Sequence, residues 1–186
     1  MPDPIENKVR FGLKKVHYSV LTGTSYGTPV AIPGAVNLDM SPAGDITKFY
    51  ADNIAYYVAV SNQGYEGSLE IAKIPDSMLA DVWGFTIGQT SKVLTESADA
   101  EPKTFALLFQ IDGDQNDDCF VMYCCTGARP NIGSKTIEAS KEPETQSIAL
   151  TAAPRSDGKV SAKTTKDTPS ATKSTWFNSV FIESGT

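Results

Sequence analysis

The apolar residues of this chain come in short runs, and none is long. Val16-His17-Tyr18-Ser19-Val20, Tyr56-Tyr57-Val58-Ala59-Val60, Phe105-Ala106-Leu107-Leu108-Phe109 and Phe120-Val121-Met122-Tyr123 are each a strand's length and rich in β-branched or aromatic residues. Between them lie breakers: 35 of the 186 residues are Ser or Thr, and there are 14 glycines and 11 prolines. Many short β-favouring runs separated by turn residues specify a mainly β sandwich or barrel.

One segment departs from that pattern. Residues 75–84, Pro-Asp-Ser-Met-Leu-Ala-Asp-Val-Trp-Gly, carry Leu79, Val82 and Trp83 at helical spacing behind a Pro-Asp start and ahead of a terminal Gly. They predict a single helix flanking the sheet. The chain reads as one domain over 1–186, with an N-terminal arm at 1–12, a long polar loop at 41–54 tipped by Phe49 and Tyr50, and a Lys/Ser/Thr-rich loop or linker at 163–175. Residues 55–61 and 65–74 read as two strands of one hairpin. Residues 103–112 with 119–126, and 145–152 with 159–164, read as two more. On the strand after residue 64, Leu69 and Ile71 share one face with Tyr65 and Gly67, and Glu66, Ser68 and Glu70 share the other.

Charge narrows the function classes. The net charge is −6. Residues 39–118 alone carry 14 acidic and 4 basic side chains, between two ends at +2 each. An acidic chain is poorly suited to gripping nucleic acid through its phosphates, while an acidic middle between basic ends suits head-to-tail self-association. No apolar run approaches the ~20 residues that span a bilayer, and no apolar leader is visible at the N-terminus.

Chemistry is thinly supplied. His17 is the one histidine, so any Ser-His or Cys-His catalysis would have to pass through it. Cys119, Cys124 and Cys125 form neither a C-x-x-C pair nor a disulfide framework, and core thiols are the expectation. Asp112-Gly113-Asp114-Gln115-Asn116-Asp117-Asp118 matches a calcium loop at its first three ligand positions. It fails where Asp117 stands for Gly and Tyr123 for Glu. Glu66 and Glu70 lie about 13 Å apart by strand rise, beyond an acid–base pair. The expectation is no catalytic residue, no metal and no cofactor.

Beyond these physical readings, the chain resembles the major tail proteins of long-tailed bacteriophages, the phi-thirteen type. The resemblance rests on residues 7–13 (NKVRFGL) with Val16-His17-Tyr18, 26–36 (YGTPVAIPGAV), Phe49-Tyr50-Ala51-Asp52-Asn53 and 56–67 (YYVAVSNQGYEG). It continues through 98–103 (ADAEPK) with 105–109 (FALLF), 153–160 (APRSDGKV) and Trp176-Phe177. It implies a tail tube subunit: a β-sandwich with a flanking helix, joining five copies of itself in a six-membered ring. Strands of each subunit complete one β-barrel around a channel, and rings stack into the tube that conducts DNA during ejection. It implies a location in the virion tail, with synthesis and assembly in the host bacterial cytoplasm. Further implied partners are the tape-measure protein and the tail-tip and terminator proteins, with DNA as transient cargo and no membrane. On this resemblance Lys8, Arg10, Phe49, Tyr50, Asp52 and Asn53 are contact candidates between subunits. Glu66, Ser68 and Glu70, with Ala59 and Ser61 from the strand taken to pair with them, are candidates for the channel lining, where small and acidic side chains would repel phosphates. Two alternatives stay open: a tube subunit of a phage-derived bacteriocin or secretion-like machine, and a carbohydrate-binding β-sandwich of a virion tip using residues 50–53, Tyr56 and Tyr57.

Overall fold

The computed structural model describes residues 12–113, 117–136 and 143–183. Among these residues thirteen strands and two helices follow in chain order. The first group is β1 (Gly12–Thr22), β2 (Ser25–Tyr26), β3 (Val30–Ala31), β4 (Ala35–Ala43), β5 (Ile46–Ala51), β6 (Ile54–Val60) and β7 (Gly64–Ile71). Then come α1 (Asp76–Trp83), β8 (Thr86–Ile87), β9 (Leu94–Thr95), β10 (Phe105–Asp112) and β11 (Cys119–Gly127). The chain closes with β12 (Gln146–Ala152), β13 (Ser161–Lys163) and α2 (Ser170–Thr175). The protein is mainly β, with one large antiparallel sheet ordered β2-β1-β10-β11-β12-β7-β4.

The sheet folds over on itself at β11. β10 pairs along one edge of β11 from Cys119 to Cys125; on the other edge β13 pairs with Phe120–Met122, and β12 with the last three residues. A bulge at Cys124, whose φ is 45°, marks the change; an extra residue there sharpens the bend. The bulge also resets the side-chain alternation. Cys119 and Cys124 pack on the outer side and Cys125 on the inner one, whereas unbroken alternation would have paired Cys119 with Cys125.

Two apolar layers result. The inner one joins Val16, Tyr18, Leu69, Ile71, Phe105, Leu107, Ile148 and Leu150 from facing strands with Met78, Val82 and Trp83 from α1. The helix thus plugs the sandwich. Pro75 starts it, and Gly84, at φ 71°, ends it in the left-handed conformation that glycine adopts without penalty. Met78 is fully buried and the expected Leu79 only half so. Trp83 donates its indole N–H to the Gly127 carbonyl at 3.1 Å. The outer layer puts Ala106, Leu108, Val121 and Tyr123 under Trp176, with Phe177, Val180 and Phe181 beside it. The C-terminal segment is pinned there. Trp176 Nε1 donates to the Phe120 carbonyl at 3.2 Å, and the Tyr123 hydroxyl donates to the Phe181 carbonyl at 2.7 Å. Covered on both faces, β10 is buried from Phe105 through Gln110, which is why its sequence is a continuous apolar run without alternation.

Several sequence expectations give way here. The 41–54 loop is instead the end of β4, then β5 and the turn into β6, because Asp52 and Asn53, at φ 52° and 62°, supply the two left-handed positions of a tight hairpin turn. β6 and β7 do not pair with each other: β6 pairs with β5, and β7 with β4 and β12. The chain kinks at 61–63 without reversing. Likewise β12 and β13 are not partners, since β13 joins β11 beside β10 and β12 joins β11 further along and β7. The 163–175 stretch contains α2, begun at Pro169.

Candidate functional site

The kink makes β4–β5 and β6–β7 the two sides of one long ribbon. Its first half is sheet; its second half, β5–β6, projects from the body as an arm. Ser61 locks the junction: its N–H donates to the Asp45 carbonyl at 3.0 Å, and its hydroxyl accepts from the Asp45 N–H at 2.8 Å. Beyond that point no residue is buried. Ile46, Phe49, Tyr50, Ile54, Tyr56, Tyr57, Val58 and Val60 are all exposed, with Tyr56 and Val60 at 73%. Phe49 lies opposite Tyr57, and Ile46 opposite Val60. Neighbouring positions fall on opposite faces, so both faces of the arm are apolar. An exposed apolar ribbon of this size is the mark of an interaction surface.

A second surface lies on the outer face of β4, β7 and β12. Cross-strand register sets it out in three rows of three: Ser41, Glu66 and Thr151; Asp39, Ser68 and Ala149; Asn37, Glu70 and Ser147. Three carboxylates and no basic side chain occupy these nine positions. The Glu70 carboxylate accepts a hydrogen bond from the Thr145 hydroxyl. The opposite faces of the same strands carry Leu38, Met40, Leu69, Ile71, Ile148 and Leu150 into the inner core.

The candidates named from the sequence divide accordingly. Phe49, Tyr50, Asp52 and Asn53 gather at the far end of the arm. Glu66, Ser68 and Glu70 share the acidic face. Ala59 and Ser61 do not join them: they belong to the arm and its junction, because β6 does not pair with β7. Lys8 and Arg10 lie outside the described residues. Asn37, Asp39, Ser41, Ser147, Ala149 and Thr151 were not singled out, although the strict alternation in SIALTA was there to read.

Elsewhere several polar groups have structural partners. Lys14 and Asp112 pair at 2.5 Å across β1 and β10. The hydrogen bond to Lys14 lowers the Asp112 pKa, and the same bond raises that of Lys14. Burial pushes the Cys125 thiol up to about 12 and also raises Cys119, which marks inert packing thiols. His17 Nδ1 lies 2.9 Å from the Lys15 carbonyl oxygen, and its ring packs at a tilt against Phe177, with centroids 4.9 Å apart. Among the described residues there is no cluster of three or more His, Cys, Asp or Glu able to hold a metal, and no helix long and apolar enough to cross a membrane.

The chain matches no protein-family model and no curated protein sequence. Among solved structures it is similar to the cap that terminates the tube of the anti-feeding prophage, with 13% identity, 89% of this chain and 99% of that one covered, and a TM-score of 0.46. It is also similar to a chain of the anti-feeding prophage baseplate, with 6% identity, 82% and 94% covered, and a TM-score of 0.46.

Proposed function

We propose that this protein is the building block of a tail tube. Copies join in rings through the β5–β6 arm, rings stack, and the acidic face of β4, β7 and β12 turns toward the channel. The observation that carries this reading is the arm itself: eight large apolar side chains held in water by a ribbon that buries none of them. Such a surface is costly to leave uncovered and is covered when a neighbour packs on it. The sequence resemblance to phage major tail proteins supports the same role. So does the acidic face, since a wall of carboxylates and small hydroxyls offers phosphates no counterion-release gain and lets DNA pass without sticking. Lys8 and Arg10 are then contacts from the N-terminal arm to acidic surface on a neighbour. The tape-measure, tail-tip and terminator proteins are the other partners, the virion tail is the location, and the role is structural without catalysis. A tube of a bacteriocin or secretion-like machine would use the same subunit physics.

Negative-stain electron microscopy across a concentration series tests this. Hollow tubes or six-membered rings are the expected result. A protein that stays monomeric even with tail-tip complexes and tape-measure protein added contradicts it. The exposed Tyr50, Tyr56 and Tyr57 beside Asp52 and Asn53 favour one second reading, a glycan-binding tip, which binding on a glycan array by the monomer would support.

A further inference from the structure

The large sheet leaves a seam. β1 is paired with β10 along one side, but on the other side, among the described residues, β3 pairs only with His17 and Tyr18, and β2 only with Leu21 and Thr22. β4 ends the strand order on the far edge. Between the start of β1 and the segment leading from β3 into β4 lies an open cleft of about 270 Å³, lined by residues 13–17 and 31–35. Its floor is apolar, with Val16 and Ile32 each 3% exposed. Val30 and Val36, which flank the 31–35 lining segment in the chain, are large apolar side chains exposed at 39% and 55%. Its rim is basic. Lys14 is already held by Asp112. Lys15 carries its ammonium over the Phe177 ring at 5.6 Å and forms no ion pair with a described residue.

We propose that this cleft receives the tip of the β5–β6 arm of a second copy of the chain. The tip presents the complement of what the cleft offers. Phe49 and Tyr50 supply apolar surface for the Val16–Ile32 floor and the exposed Val30 and Val36. Asp52, at the apex of the turn and exposed, supplies a carboxylate for Lys15. Among the described residues none of the chain's own arm lines the cleft, which leaves it to the arm of a neighbour. Donor tip and acceptor cleft are different surfaces of one molecule, so the contact is heterologous and propagates from copy to copy, closing into a ring where the rotation allows. This inference rests on the reading of the arm as a self-association element and adds the place on the neighbour where it lands.

The test is a charge exchange on the full-length chain, read as the protein concentration needed for half-assembly by sedimentation velocity and electron microscopy. Lys15→Glu sets two carboxylates against each other and should raise that concentration about tenfold or more. Asp52→Asn keeps a residue that tolerates the left-handed turn, and should raise it about two- to threefold. Asp52→Lys combined with Lys15→Glu should bring assembly back to within about threefold of wild type. Val36→Asp, at the apolar edge, should weaken assembly without moving the monomer's melting temperature. If wild type assembles and Lys15→Glu assembles at the same concentration, the cleft is not the landing site, and the tube reading stands. The same conclusion follows if the exchanged pair is no better than its single variants. If wild type never associates at any concentration, even with tail-tip complexes and tape-measure protein added, this inference and the tube reading both fall.

Discussion

The two halves of the β4–β7 ribbon share a backbone geometry and differ in everything else. In the first half, Leu69 and Ile71 are completely buried, and Leu38 and Met40 pack against the same core. In the second half, side chains just as apolar bury nothing. Hairpin hydrogen bonding forms both; what separates them is a second layer. The first half has the β1–β10 side of the sandwich and α1 above it, and the second has solvent. Strand formation and burial are therefore separate events in this chain, and where the second layer is missing a neighbouring molecule can supply it.

Four substitutions break or sharpen this contrast. The largest effect belongs to the doubly layered body. Trp176→Ala should cost about 3–5 kcal/mol by urea unfolding, because it removes the cover over Val121 and Tyr123 and leaves a cavity. Limited proteolysis should then cut first in the C-terminal segment. Gly67→Ala comes next. A Cβ there would lie 1.9 Å from the Asp39 carbonyl oxygen, so β4 must move, and a loss of about 1–3 kcal/mol is expected for forced overpacking. Tyr57→Ser, on the arm, should change the monomer's unfolding free energy by no more than about 0.5 kcal/mol while abolishing assembly. Destabilisation on the scale of a core truncation would mean that the arm is packed on the body. The smallest effect is electrostatic. Asp112 has a lowered pKa, so its pairing stabilises above the unfolded carboxylate range near ~4 and is lost as pH falls through the folded value. Lys14 has a raised pKa, so its share is present below its usual value and lost as pH rises past the raised one. The urea midpoint gap between wild type and Asp112→Asn should be small at neutral pH and close in acid.

Sequence patterning made the body and the β6 half of the arm legible and left the β5 half hidden. Alternation is visible only where one face is buried and the other wet. It placed Glu66, Ser68 and Glu70 opposite Leu69 and Ile71 because β7 meets that condition. The helix was legible from Pro75, Gly84 and the Val82-Trp83 stripe. The arm is apolar on both faces, so Ile46-Thr47-Lys48-Phe49-Tyr50 has no period, and it read as loop. The local signal for its turn was Asp52-Asn53, a pair suited to two consecutive left-handed residues. Pairing partners were the other hidden layer. That β6 runs on into β7 without turning back, and that β11 bends to serve both β12 and β13, depends on one kink and one bulge at Cys124, which no propensity announces. Moving Ala59 and Ser61 off the acidic face follows from the same kink.

Hydrogen exchange of the β5–β6 amides, monomer against assembled protein, tests the central claim most directly. In the monomer these amides are hydrogen-bonded only within a two-stranded ribbon and should exchange orders of magnitude faster than those of β10. On assembly they should become protected to a level near the body's, with β7 little changed. Amides of the arm already protected in the monomer, or still fast in the assembled particle, would contradict the account.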